Sequence, residues 1–72
     1  MDNSVASPVA GQLIRRLVQA GDAVDVDTEV AIVEAMKMHI PVSAERAGRV
    51  SRWLVDEQAQ VAEGQPLLVL ER

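Results

Sequence analysis

Cysteine, phenylalanine and tyrosine are absent, and histidine, tryptophan and lysine each occur once, as His39, Trp53 and Lys37. Each shortage removes a possibility. Without cysteine there is no disulfide, although a chain of 72 residues is short enough to need help from one. One histidine and no cysteine leave too few ligands for a protein-built zinc site. Stability must therefore come from apolar packing, and 49% of the residues are apolar. Long apolar runs are also missing. Nothing approaches the roughly 18 residues of a membrane span, and no charged-then-apolar leader is visible. Basic charge is scarce: the formal net charge is −4, unlike a surface built to hold a phosphate backbone. Nucleic acid and membrane are accordingly not expected partners. The cytoplasm is the expected location, with which a cysteine-free chain is compatible. The length allows one domain, expected over residues 1–72 and as a monomer in isolation.

What is present is a repeat. A shift of 37 residues aligns 10–34 (AGQLIRRLVQAGDAVDVDTEVAIVE) with 47–71 (AGRVSRWLVDEQAQVAEGQPLLVLE) without a gap. Ala10/Ala47, Gly11/Gly48, Arg15/Arg52, Leu17/Leu54, Val18/Val55, Val24/Val61 and Glu34/Glu71 are identical pairs. Leu13/Val50, Val30/Leu67, Ile32/Val69 and Val33/Leu70 are apolar on both sides. Two copies are too few for a solenoid. They fit a pseudo-twofold domain in which each half covers the other's apolar face.

Each half reads as short strands. The expected runs are Gly11–Val18, Thr28–Met36 and Met38–Ser43, then Gly48–Val55, Val61 and Pro66–Glu71, with a turn at Gly21-Asp22. No segment keeps a helical stripe for three turns, so little helix is expected. Val30–Val33 and Leu67–Leu70 are apolar on both parities, and alternation does not assign their inward face. Pro41 inside a run points to an edge strand or an irregularity. Short, evenly spaced strands predict an all-β sandwich or barrel.

The joint between the copies, Ala35–Arg46, begins Ala35-Met36-Lys37-Met38. The expected geometry is a hairpin whose tight turn holds Met36 and Lys37. It lacks the Asn-Gly or Asp-Gly of an ordinary primed turn, and local rules tend to be broken at functional sites. Two methionines beside an exposed lysine form an adaptable apolar contact surface. Lys37 is also the only side-chain amine, the remaining cations being Arg15, Arg16, Arg46, Arg49, Arg52 and Arg72. An amine can be acylated where a permanently protonated guanidinium cannot. An arginine-rich composition can have a genomic origin, yet the chemistry still falls on one side chain.

On Glu34-Ala35-Met36-Lys37-Met38 the chain resembles the biotinyl domains of the biotin carboxyl carrier family. Ser7-Pro8-Val9-Ala10-Gly11, Ala20-Gly21-Asp22-Ala23-Val24 and Glu63-Gly64-Gln65-Pro66-Leu67 support the match, which runs from about residue 5 to 71. The resemblance implies a flattened barrel-sandwich of two four-stranded antiparallel sheets, with the lysine at a hairpin tip and both chain ends at the opposite pole. It implies that a biotin protein ligase activates biotin as an adenylate and transfers it to Lys37. Biotin then takes a carboxyl group from a biotin carboxylase to a carboxyltransferase. Met36 and Met38 would be read by the ligase or touch the biotin ring, and Glu34 and Ala35 would fix the strand's approach. Nothing beside Lys37 would activate an amine that is ordinarily protonated at neutral pH, so the domain itself is expected to be non-catalytic. No protruding insertion interrupts the first half, as in a minimal, thumbless type. The family's glycines are replaced by Asp27 and Gln58. Asp tolerates a left-handed backbone, whereas Gln58 is expected to strain its turn or change it.

Two rivals remain. Lipoyl domains share this fold but typically flank their lysine with Asp and Ala rather than two methionines. An unmodified interaction barrel of the same fold usually inserts a long helical segment between the halves. No Ser/His/Asp, Cys/His or paired-carboxylate set points to an enzyme. His39 is read as an exposed polar residue and Trp53 as packing surface. Asp22, Asp25, Asp27 and Glu29 are read as a solvated turn region, because they lack the spacing of a calcium loop.

Overall fold

The structure is a computed structural model that describes residues 3–71; the expected domain limits at 1 and 72 lie outside them. Eight strands follow in order: β1 Ser4–Ala6, β2 Gly11–Arg16, β3 Ala23–Val24, β4 Glu29–Ala35, β5 Met38–Ser43, β6 Gly48–Trp53, β7 Gln60–Val61 and β8 Pro66–Glu71. They form two four-stranded antiparallel sheets, β1-β8-β6-β3 and β5-β4-β2-β7. The fold is the expected flattened all-β sandwich. Pro41 lies in β5, an edge strand of its sheet, where a missing N–H costs no ladder bond.

The 37-residue shift governs the pairing. Gln12↔Glu34 and Leu13↔Val33 in β2/β4 are reproduced by Arg49↔Glu71 and Val50↔Leu70 in β6/β8. Both pairs of strands then slip by one residue, at Ile14 and at Ser51. The duplication reaches further than the sequence alignment. Ser4↔Val69 and Val5↔Leu68 in β1/β8 match Pro41↔Ile32 and Val42↔Ala31 in β5/β4. β1 is thus the counterpart of β5, and the ends of β1 and β8 correspond to the β4–β5 hairpin.

The halves interlock. β3 pairs with β6 of the second half, and β7 pairs with β2 of the first. Neither half has its own complete sheet. Between the sheets lie Val5, Leu13, Val24, Val30, Ala31, Val33, Val42, Ala44, Val50, Val61, Leu67, Leu68 and Leu70. Burying a Val or Leu contributes roughly 1.5–3 kcal/mol, which here stands in for cross-links. Of the two ambiguous runs, Val30–Val33 is settled by a bulge. The register shifts between Glu29 and Ala31, so the neighbours Val30 and Ala31 are both buried, as is Val33.

The two glycine substitutions differ. Gln58 takes φ 77°, close to the φ 98° of its counterpart Gly21, so that turn is kept with a strained residue. Asp27 does not follow its counterpart Gly64, which has φ 82°. Asp27 does not use its tolerance of a left-handed backbone: its N–H donates to Asp25 Oδ1 at 3.1 Å. This side-chain turn, of the kind Asp readily forms, replaces the bond from Gly64 N–H to Ser7 O on the other side.

Candidate functional site

β4 and β5 close on two residues. Glu34↔His39 and Ala35↔Met38 are the last pairs, leaving Met36 and Lys37 as the turn. Met36 has φ 53° and Lys37 φ 65°. Positive φ at both central residues is the pattern of a type I′ turn, whose twist suits a hairpin. Here it is built without glycine or asparagine, at about 1–2 kcal/mol for each left-handed L-residue. The packing below the turn must hold it in that form.

That packing is specific. Val33 and Val42 point inward and are buried, and Ile40, opposite Val33, is half-buried. Gly11 on β2 lies so close to β4 that an added Cβ would stand 2.3 Å from Glu34 O. The strand leading into the turn is therefore gripped one residue before Ala35. Sequence reading missed this role, and its signal was the identical pair Gly11/Gly48. At Gly48 the matching approach, to Glu71 O, is looser at 3.0 Å.

Above this base the tip is open. Met36 is 94% exposed, Met38 63%, and Lys37 is exposed as well. Glu34 and Ala35 are half-buried. The structure thus gathers all five residues of the motif on one hairpin, with Lys37 at its apex. Among the described residues Lys37 makes no hydrogen bond or ion pair. Such a lysine is available to another macromolecule and is not held by its own fold.

The other residues singled out from the sequence lie elsewhere in role. Trp53 packs on the core, its Nε1–H donating to Val18 O at 3.0 Å, with the Arg16 guanidinium 5.1 Å from its ring centre. Arg16 and Trp53 are repeat counterparts, so the duplicated position has become a stacked pair. Arg16 also donates to Val55 O and pairs with Asp56 at 3.2 Å. His39 is exposed opposite Glu34. In the acidic region Asp22 accepts from Gln19 N–H at 2.9 Å, and Asp25 from Asp27 N–H and Thr28 Oγ1. These carboxylates hold their own turns.

The geometry of a duplicated sandwich with a lysine turn agrees with comparison to known proteins. The family described as "Biotin-requiring enzyme" matches residues 3–70. The chain belongs to the biotin/lipoyl attachment family. It is 43% identical over 67 residues to a biotin/lipoyl attachment protein of Bacillus subtilis, covering 93% of this chain and 92% of that one. It is 35% identical to the biotin carboxyl carrier protein of acetyl-CoA carboxylase of Haemophilus influenzae, covering 93% of this chain and 48% of that protein. The fold matches part of the Kluyveromyces lactis urea carboxylase with a TM-score of 0.88 at 28% identity, over 94% of this chain and 6% of that one. A single-chain long-chain acyl-CoA carboxylase gives 0.87 at 30%, over 96% and 7%. The chain therefore spans nearly all of the first relative, about half of the second, and a small part of each carboxylase. Members of the family carry a covalent prosthetic group, and its carboxylase members are carrier components.

Proposed function

We propose that this domain carries biotin in amide linkage to Lys37 Nζ and moves it between a biotin carboxylase and a carboxyltransferase. The observation that carries the reading is the tip itself: the only side-chain amine stands exposed and unpaired in a strained two-residue turn between two exposed methionines. These residues fit an acyl group, since an amide needs a reachable amine and room around it. Biotin, once bound, supplies the carboxyl-carrying chemistry.

The chain's own residues attach and position. Lys37 Nζ attacks the carbonyl of the biotinyl adenylate, and the amide C–N bond forms as AMP leaves. The amine's proton passes to a base on the biotin protein ligase, since no side chain among the described residues hydrogen-bonds Nζ. Met36 and Met38 give the ligase an apolar contact on either side of the amine. Val33, Val42 and Gly11 fix the direction of the hairpin, so the amine is presented in one place. Tethering then makes the passage between two active sites a local search at raised effective concentration.

The test is co-expression with a biotin protein ligase and, separately, with a lipoyl ligase, followed by intact mass. One biotinyl addition that disappears in Lys37→Arg is expected. Addition only with the lipoyl ligase would transfer the domain to the lipoyl carriers. Addition at another residue would overturn the assignment of Lys37.

A further inference from the structure

β2, β4 and β5 form a groove on the outer face of their sheet, away from the core. It is lined by Ile14, Arg15, Leu17, Glu29, Ile32 and His39 and is shallow and open to solvent along one side, with room of roughly 480 Å3. Its end nearest the tip is His39, two residues from Lys37. Ile32 pairs with Pro41, three residues beyond Met38 along β5. At about 3.3 Å per residue, the apolar floor begins roughly 10 Å from the turn.

The duplication provides an internal comparison. The counterparts of Ile14, Leu17, Glu29 and Ile32 are Ser51, Leu54, Pro66 and Val69. Ile14 and Ser51 occupy the same slip in register, so that position does not need a large apolar side chain to fold. At two of the three apolar floor positions the sheet that bears the lysine turn has isoleucine where the other has serine and valine; at the third, Leu17 and Leu54, the two faces are alike.

We infer that this groove is a resting site for the prosthetic group of the same chain, an inference that rests on the attachment reading above. Biotin combines an apolar thioether ring with a fused cyclic urea. Ile14, Leu17 and Ile32 offer the ring an apolar floor. Glu29 offers the urea N–H groups an acceptor, and Arg15 offers its carbonyl a donor. The contact is non-covalent, and it need not be strong. Short tethers give millimolar effective concentrations, so a site too weak to hold free biotin can hold the tethered group.

The test uses the domain before and after biotinylation, with loading established by mass. The expected result is methyl NMR shifts at Ile14, Leu17 and Ile32 on loading, beyond those of the hairpin. If the group is docked about nine-tenths of the time, capture by streptavidin is slowed about tenfold. Replacing Ile14→Ser and Ile32→Val, the residues of the duplicate face, should abolish both effects. The fold is checked by the unchanged chemical shifts of the opposite sheet, and Ile32→Val alone should give a partial effect. A wild-type chain that fails to load overturns the attachment reading and this one with it. A loaded chain whose shifts stop at residues 35–39, with capture as fast as in the variant, overturns the groove alone. Shifts that grow with protein concentration as dimers form would assign the groove to a second copy and overturn it as well.

Discussion

Replacing Met36 by glycine should make the apo domain more stable and a poorer substrate for its ligase. Met36 holds φ 53° with an L-side chain, which costs about 1–2 kcal/mol relative to a residue indifferent to handedness. Glycine relieves that cost but loses more chain entropy on folding, by roughly 0.5–1 kcal/mol. The side chain is 94% exposed, so almost no apolar burial is lost. The balance is a gain of about 0.5–1 kcal/mol. For a domain of this size it corresponds to a rise of roughly 2–8 °C in Tm. Thermal unfolding of the apo protein, followed by the Trp53 signal, measures it. Initial rates of biotinyl transfer on the same samples should fall, since the methionine contact is gone. An unchanged or lower Tm would refute the reasoning, by showing that the turn is not strained or that Met36 packs on its own fold.

Two further outcomes follow from the backbone. Gln58→Gly, at φ 77°, should raise the urea midpoint by the equivalent of about 0.5–1 kcal/mol, less a small loss from the exposed 3.3 Å contact of Gln12 Nε2 with Gln58 Oε1; a lower midpoint would mean that the side chain, not the backbone, governs that turn. Gly11→Ala and Gly48→Ala should be unequal despite being repeat counterparts. The first drives a Cβ to 2.3 Å from the Glu34 carbonyl and the second to 3.0 Å from that of Glu71, so overpacking costs of about 3 and about 1 kcal/mol are expected. Urea unfolding of both variants measures the difference, and equal losses would show that β4 is not gripped more tightly than β8.

Much of this architecture is legible in the chain because duplication prints it twice. Gly11 and Gly48, Leu13 and Val50, and Glu34 and Glu71 fall in register in sequence and in the sheets alike. The tip was legible because Lys37 interrupts two apolar runs, one reaching Met36 and the next starting at Met38. Other parts were hidden for physical reasons. β1 and β3 have three and two residues, too few to show alternation. The inward face of Val30–Val33 depends on a slip in pairing, which no periodicity announces. Asp27 departs from Gly64 because Asp25, two residues earlier, offers its amide a side-chain partner, and that competition is visible only once the turn is folded. The grip of Gly11 on Glu34 joins residues distant in sequence, so the glycine could be noticed but its purpose could not.

The equivalence of β1 with β5 has a consequence for the lysine turn. One copy of the repeat runs from β1 to β4, the next from β5 to β8, and the turn is the splice that joins them. In an assembly of two separate copies the same place would be a pair of loose ends, as the outer ends of β1 and β8 are related to each other here. A circular permutant, cut at the turn and closed between β8 and β1, would keep every strand pairing while moving the splice to the opposite pole. The fold itself is indifferent to which pole is closed. Only the covalent path makes one end a handle and leaves the other as the point of entry and exit for the chain.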